Sequence, residues 1–139
     1  PLDVGIADER SEIAGCYRGV PQNDVGPRTD VLDGCPKAEG MMLLIRAMSP
    51  GVIITDEIGT AEDASACIEA SCAGVCVMAS AHGAGRGDLA NRPSLRRLLA
   101  AGAFNRIVFL SSRHAPGTVD EICDGRGRTL VRGPLEGSR

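Results

Sequence analysis

Aromatic side chains are nearly missing from this chain: 139 residues hold no tryptophan, one tyrosine and two phenylalanines. Proteins that grip single-stranded nucleic acid stack bases on such rings, so that mode of binding lacks its platform here. The formal net charge of −3 points the same way, because nucleic-acid binders present a basic surface. Lysine is scarcer still, with Lys37 alone against an arginine-rich background. Lys37 is followed by Ala38, so the phosphate-cradling loop G-x-x-x-x-G-K-[ST] is absent. No apolar run approaches the roughly 20 residues that span a bilayer. No signal-peptide pattern follows Pro1, and strand-like sequence starts by Val4, so the chain is expected to be truncated at its start. The six cysteines form no C-x-x-C pair and no zinc spacing, and are expected to be reduced, largely buried thiols of a cytosolic protein.

What remains is ordinary for a soluble globular domain: 43% hydrophobic and 24% charged residues. Val4 to Ala7 make a short strand candidate that runs into Asp8-Glu9. A Gly-, Pro- and Asp-rich stretch from Arg10 to Cys35 comes next, and irregular segments of that length inside compact domains are functional or disordered. Pro36 suits the first turn of a helix that Ser49-Pro50-Gly51 stops. Val52 to Asp56 read as a strand, Glu62 to Ala73 as a helix closed by Gly74, and Val75 to Ala79 as a second buried strand. Asp88 to Ala101 read as a helix and Ile107 to Leu110 as a fourth strand. The alternation predicts an α/β fold, a mostly parallel sheet with helices on both faces, over residues 1–124. Residues 125–139 are Gly- and Arg-rich and predict a flexible tail or an edge hairpin.

Chemistry concentrates where strands end. The β-branched run Val52-Ile53-Ile54-Thr55 delivers two adjacent carboxylates, Asp56 and Glu57, to a strand's carboxyl end. Open α/β sheets bind ligands at that edge. Two acids there are costly unless a cation or donors meet them. The pair resembles the Walker B element of P-loop NTPases, in which one acid holds Mg²⁺ and the other orients or activates water. Asp8-Glu9-Arg10 and Ser80-Ala81-His82 end two other strands, and a parallel sheet brings all three clusters to one edge. Asp56 is the candidate Mg²⁺ ligand, directly or through water, with Glu57 beside it. Glu57, Glu9, Asp8 and His82 are the catalytic candidates. Arg10 and Arg28, in or beside the long loop, are candidates for phosphate contacts, Arg28 in a neighbouring subunit's site.

The strings DERSEIAG (8–15), DVGPRTDVLDG (24–34), CPKAEG (35–40), MSP (48–50), DEIG (56–59) and AHG (81–83) together resemble the stage III sporulation AA family. Arg92-Pro93 and Pro116-Gly117-Thr118 extend the likeness. The resemblance implies a RecA-like ATPase related to the motors of type II secretion and type IV pili, acting on ATP with Mg²⁺. By position, Asp8 and Glu9 would belong to its acidic loop, Asp56 and Glu57 to Walker B, and His82 to its histidine box. It also implies a hexamer on the mother-cell cytoplasmic side, docked on an integral membrane protein of the sporulation channel; from the composition, no direct nucleic-acid contact is expected. Such ATPases carry a P-loop upstream, so residues 1–139 are expected to be a C-terminal portion that alone neither binds ATP tightly nor hydrolyses it. Two other readings are a non-catalytic assembly domain and a nucleic-acid-linked P-loop ATPase.

Overall fold

Strand β1 (Val4–Asp8) is one of the two inner strands of a parallel sheet. It pairs with β2 (Thr29–Asp33) on one side and β3 (Val52–Thr55) on the other, and β3 pairs with β4 (Cys76–Ala79). The order is β2-β1-β3-β4. This computed structural model describes residues 2–135. The chain divides into two units, one up to Leu98 and one from Leu99, where the alternation suggests a single body through residue 124.

Helix α1 (Lys37–Met48) carries the chain from β2 over β1 to β3, and α2 (Ala61–Cys72) carries it from β3 to β4. Helix α1 packs closely on β1 because glycines leave room at the contact. A β-carbon on Gly5 would stand 3.0 Å from Leu44, and one on Gly40 would stand 3.4 Å from the Ala7 β-carbon. With Met41, Leu44, Ile53, Ala64, Cys67 and Ala70 fully or nearly fully buried, the core of this unit lies between sheet and helices. Thr60 caps α2: its hydroxyl accepts from the Asp63 amide at 3.1 Å, and the Asp63 carboxylate accepts from the Thr60 amide at 2.9 Å. Burial alone would raise the Asp63 carboxyl, but the amides of Thr60 and Gly59 and the Thr60 hydroxyl outweigh it and hold it below the usual range.

The stretch after β1 differs from the reading as wholly irregular, since it contains β2. The rest of it is organised around Asp8, whose carboxylate accepts from the amides of Glu12, Ile13 and Ala14 at 2.9, 3.1 and 2.8 Å. The Ala14 carbonyl in turn accepts from the amides of Gln22 and Asn23, both at 3.1 Å. The expected helix over 88–101 is two helices, α3 (Arg86–Asn91) and α4 (Pro93–Ala100). Arg92 between them is extended (φ −87°, ψ 119°) because a following proline disfavours helical backbone, while Pro93 suits a first helical position.

In the second unit, β5 (Arg106–Leu110), β6 (Val119–Asp124) and β7 (Thr129–Leu135) form an antiparallel sheet in that order. The strand read from Ile107 to Leu110 therefore does not continue the parallel sheet. The connection from β5 to β6 is too short for a crossover and reverses the chain instead. Residues 129–135 of the Gly/Arg-rich stretch pair with β6 as an edge strand; residues 136–139 lie outside the described ones. Among the described residues no helix is long and apolar enough to cross a membrane.

Candidate functional site at the carboxyl edge of the sheet

The chain leaves β1 towards β2 on one side and leaves β3 towards β4 on the other. The crevice between the carboxyl ends of β1 and β3 is thus a topological switch point, the place where parallel sheets receive ligands. Asp8-Glu9-Arg10 emerge on one lip and Asp56-Glu57 on the other.

The structure gives these acids different surroundings. Asp8, 0% exposed, is occupied by the three amides that fold the following loop. Asp56 has a side chain 14% exposed, and both its carboxylate oxygens are buried without a hydrogen-bond donor. Its nearest ion-pair partner is Lys37, whose ammonium lies 3.8 Å from Asp56 Oδ1 and, on the other lip, 3.8 Å from Glu9 Oε2. Lys37 is itself only 5% exposed, in the first turn of α1. It donates to the Glu57 carbonyl at 2.9 Å.

Glu57 is held from three directions. Its amide donates to the Ser80 hydroxyl at 3.0 Å, its carbonyl accepts from Lys37, and its carboxylate accepts from Arg10 Nη2 at 2.6 Å. Glu57 raises the Arg10 guanidinium above its ordinary value, first by charge and then by this hydrogen bond. The Glu57 backbone has φ +34°, a left-handed conformation that a residue with a side chain adopts only when its surroundings impose it.

His82 is exposed beyond β4, and its carbonyl accepts from Arg92. Among the described hydrogen bonds and ion pairs none joins its ring to the acids. Arg28 stands at the opposite, amino end of the strands, where it pairs with Asp3 at 2.5 Å. The structure therefore gathers Glu9, Arg10, Asp56 and Glu57, commits Asp8 to the loop, and leaves Arg28 across the sheet. Lys37 and the hydroxyl of Ser80 complete the cluster. In the sequence Lys37 serves only to rule out a phosphate loop. The available signal is its being the sole lysine, directly after the helix-starting Pro36.

The donor set suits a hard cation such as Mg²⁺ in one respect: Asp56 offers two buried, undonated oxygens. Among the described residues no group of three or more His, Cys, Asp or Glu is placed to hold a metal. Mg²⁺ is compatible with that, because it keeps waters and binds through one or two carboxylates plus phosphate oxygens. The cysteines among the described residues are all free. Burial pushes the Cys67 thiol up to about 12, whereas Cys72 and Cys76 are exposed rather than buried as expected. A groove of about 770 Å³ in the second unit, lined by Phe104, Arg106, Asp124 and Arg128 among others, shares no residue with the acidic cluster.

The first unit is thus an α/β domain with paired acids at the switch point of its parallel sheet. Residues 1–130 match the family model for sporulation stage III, protein AA. The chain is 57% identical over 132 residues to the stage III sporulation protein AA of Bacillus subtilis (strain 168), covering 95% of this chain and 43% of that protein. The chain belongs to the sporulation stage III AA family. It spans less than half the length of the curated relative it matches.

Proposed function

We propose that this chain supplies the acidic side of an ATP-hydrolysing site in a stage III AA ATPase that energises assembly of, or transport through, a channel between mother cell and forespore. The observation that carries the proposal is the pair of buried, undonated Asp56 oxygens at a switch-point crevice. Burying a carboxylate without donors is expensive unless a cation meets it in the working state.

In this reading Asp56, directly or through water, and Glu57 beside it would hold Mg²⁺. The ion would neutralise charge on the phosphate oxygens. Glu57 orients and deprotonates the attacking water, with Glu9 as the second acid across the crevice. Arg10, bonded to Glu57 in this structure, has the fork geometry for phosphate oxygens and can exchange one partner for the other. His82 lies close enough in sequence to Ser80 to move with any shift of the turn that Ser80 ties to Glu57. Arg28, on the far side of the sheet, serves only a neighbouring subunit's nucleotide, which requires a homo-oligomer, in this reading a hexamer. The assembly works at the mother-cell face of the membrane against an integral membrane partner, and alone this segment does not turn over.

Glu57→Gln in the full-length protein is the test. Turnover should fall at least about 10²-fold while ATP binding persists, because the substitution spares the phosphate contacts. Wild-type turnover by the folded variant would remove Glu57 from the reaction and leave Glu9 to be tested.

A second reading, a non-catalytic assembly domain, has one observation in its favour: Lys37 already lies between Glu9 and Asp56 as a counter-charge. A full-length wild-type protein that binds its partner but never hydrolyses ATP would favour it.

A further inference from the structure

The only lysine of the chain is buried to within 5% of its surface, in a place where burial of an ammonium has to be compensated. One compensation is the hydrogen bond to the Glu57 carbonyl at 2.9 Å. The others are charges: Glu9 Oε2 and Asp56 Oδ1, each 3.8 Å away on opposite lips of the crevice. Neither carboxylate receives a hydrogen bond from the ammonium at that distance. Lys37 thus contributes charge to the acids and direction to Glu57. The acids need that charge, since Glu9 and Asp56 would otherwise face each other across a crevice with Asp56 undonated. Glu57 needs the direction, because its φ of +34° is unfavourable for a residue with a side chain.

We propose that Lys37 is a resident cation of this site, which holds Glu9 and Asp56 together across the crevice and fixes Glu57 by its backbone carbonyl in the conformation used for turnover. The position of α1 makes this possible. Pro36 caps the helix just beyond β2, so Lys37 in its first turn reaches Glu9 on one lip and Asp56 on the other. The charge also reaches α2, acting on Asp63 and Cys67. Lys37 is a positioning residue here, and its role in turnover rests on the ATPase reading above; its role as a counter-charge does not.

The experiment is thermal melting of the full-length, nucleotide-free protein with and without millimolar magnesium chloride, for wild type, Lys37→Met, Asp56→Asn and the double variant. Lys37→Met should melt roughly 5–10 °C lower, because it leaves the buried, undonated Asp56 carboxylate without its counter-charge. Magnesium should restore much of that loss, and so should adding Asp56→Asn. Wild type and the double variant should respond little to the ion. Equal losses in Lys37→Met and the double variant, with no magnesium effect, would reduce Lys37 to packing and overturn the proposal. If Lys37→Met does not fold, the double variant decides: it folds if the charge account holds and fails if it does not. In turnover, Lys37→Met should lower kcat about 10²-fold with KM for ATP little changed. A wild-type protein without turnover would remove the ATPase reading and leave the melting result standing.

Discussion

Asp8 and Asp56 occupy matching positions at the carboxyl ends of adjacent strands, directly after the paired residues Ala7 and Thr55. Asp8 is satisfied by three backbone amides and has become part of the loop that succeeds it. Asp56 is almost as deeply placed, yet no donor reaches either oxygen. The same residue type at the same edge thus serves structure in one strand and is held open in the next. The difference lies in the segment leaving each strand. After β1 the chain turns back over its own carboxylate, whereas after β3 Glu57 is drawn away by Ser80, Lys37 and Arg10.

That contrast breaks most visibly in stability. Asp8→Ala strands three amides and should cost about 4 kcal/mol, whereas Asp56→Asn should cost less than about 1 kcal/mol. Urea unfolding monitored by circular dichroism measures both; similar losses would erase the distinction. A third carboxylate, Asp63, sharpens it at intermediate size. Asp63 is a capping acid like Asp8, and Thr60→Ala should cost about 1 kcal/mol. Its carboxyl is lower in the folded state than unfolded, so its contribution is present above the ordinary carboxylate pKa and is lost as pH falls through the depressed value. An acid titration of stability should therefore show Asp63→Asn losing less than wild type in that lowest range. The smallest effect belongs to Arg28, whose exposed pair with Asp3 should contribute no more than about 1 kcal/mol. Arg28→Ala should lower the subunit's melting by a few degrees at most and lower turnover only when subunits are assembled. A loss already present in a dilute, unassembled subunit would place its action within one chain.

Much of this arrangement is legible in the chain. The run Val52–Thr55 forms its strand because β-branched side chains suit a sheet interior, and the three polar clusters do come after strands that end at one edge. β2 is hidden because Thr29–Asp33 carries two aspartates between Gly- and Pro-rich flanks, and only its pairing to β1 makes it a strand. β5 has the composition of a parallel strand, but pairing partners are not written in composition. The site is legible in its acids and illegible in its cation. Asp56 and Glu57 announce themselves by adjacency, whereas Lys37, 20 positions before Glu57, reaches it through the packing of α1. Asp8 has the look of a catalytic candidate because nothing local says that three amides will close on it.

Asp56 is the residue on which the proposed chemistry stands most directly. The decisive measurement is ATP turnover by full-length Asp56→Asn protein shown by its melting temperature to be folded. A site that works through the Asp56 carboxylate predicts folded protein with turnover at background; folded protein that hydrolyses ATP at the wild-type rate would contradict it.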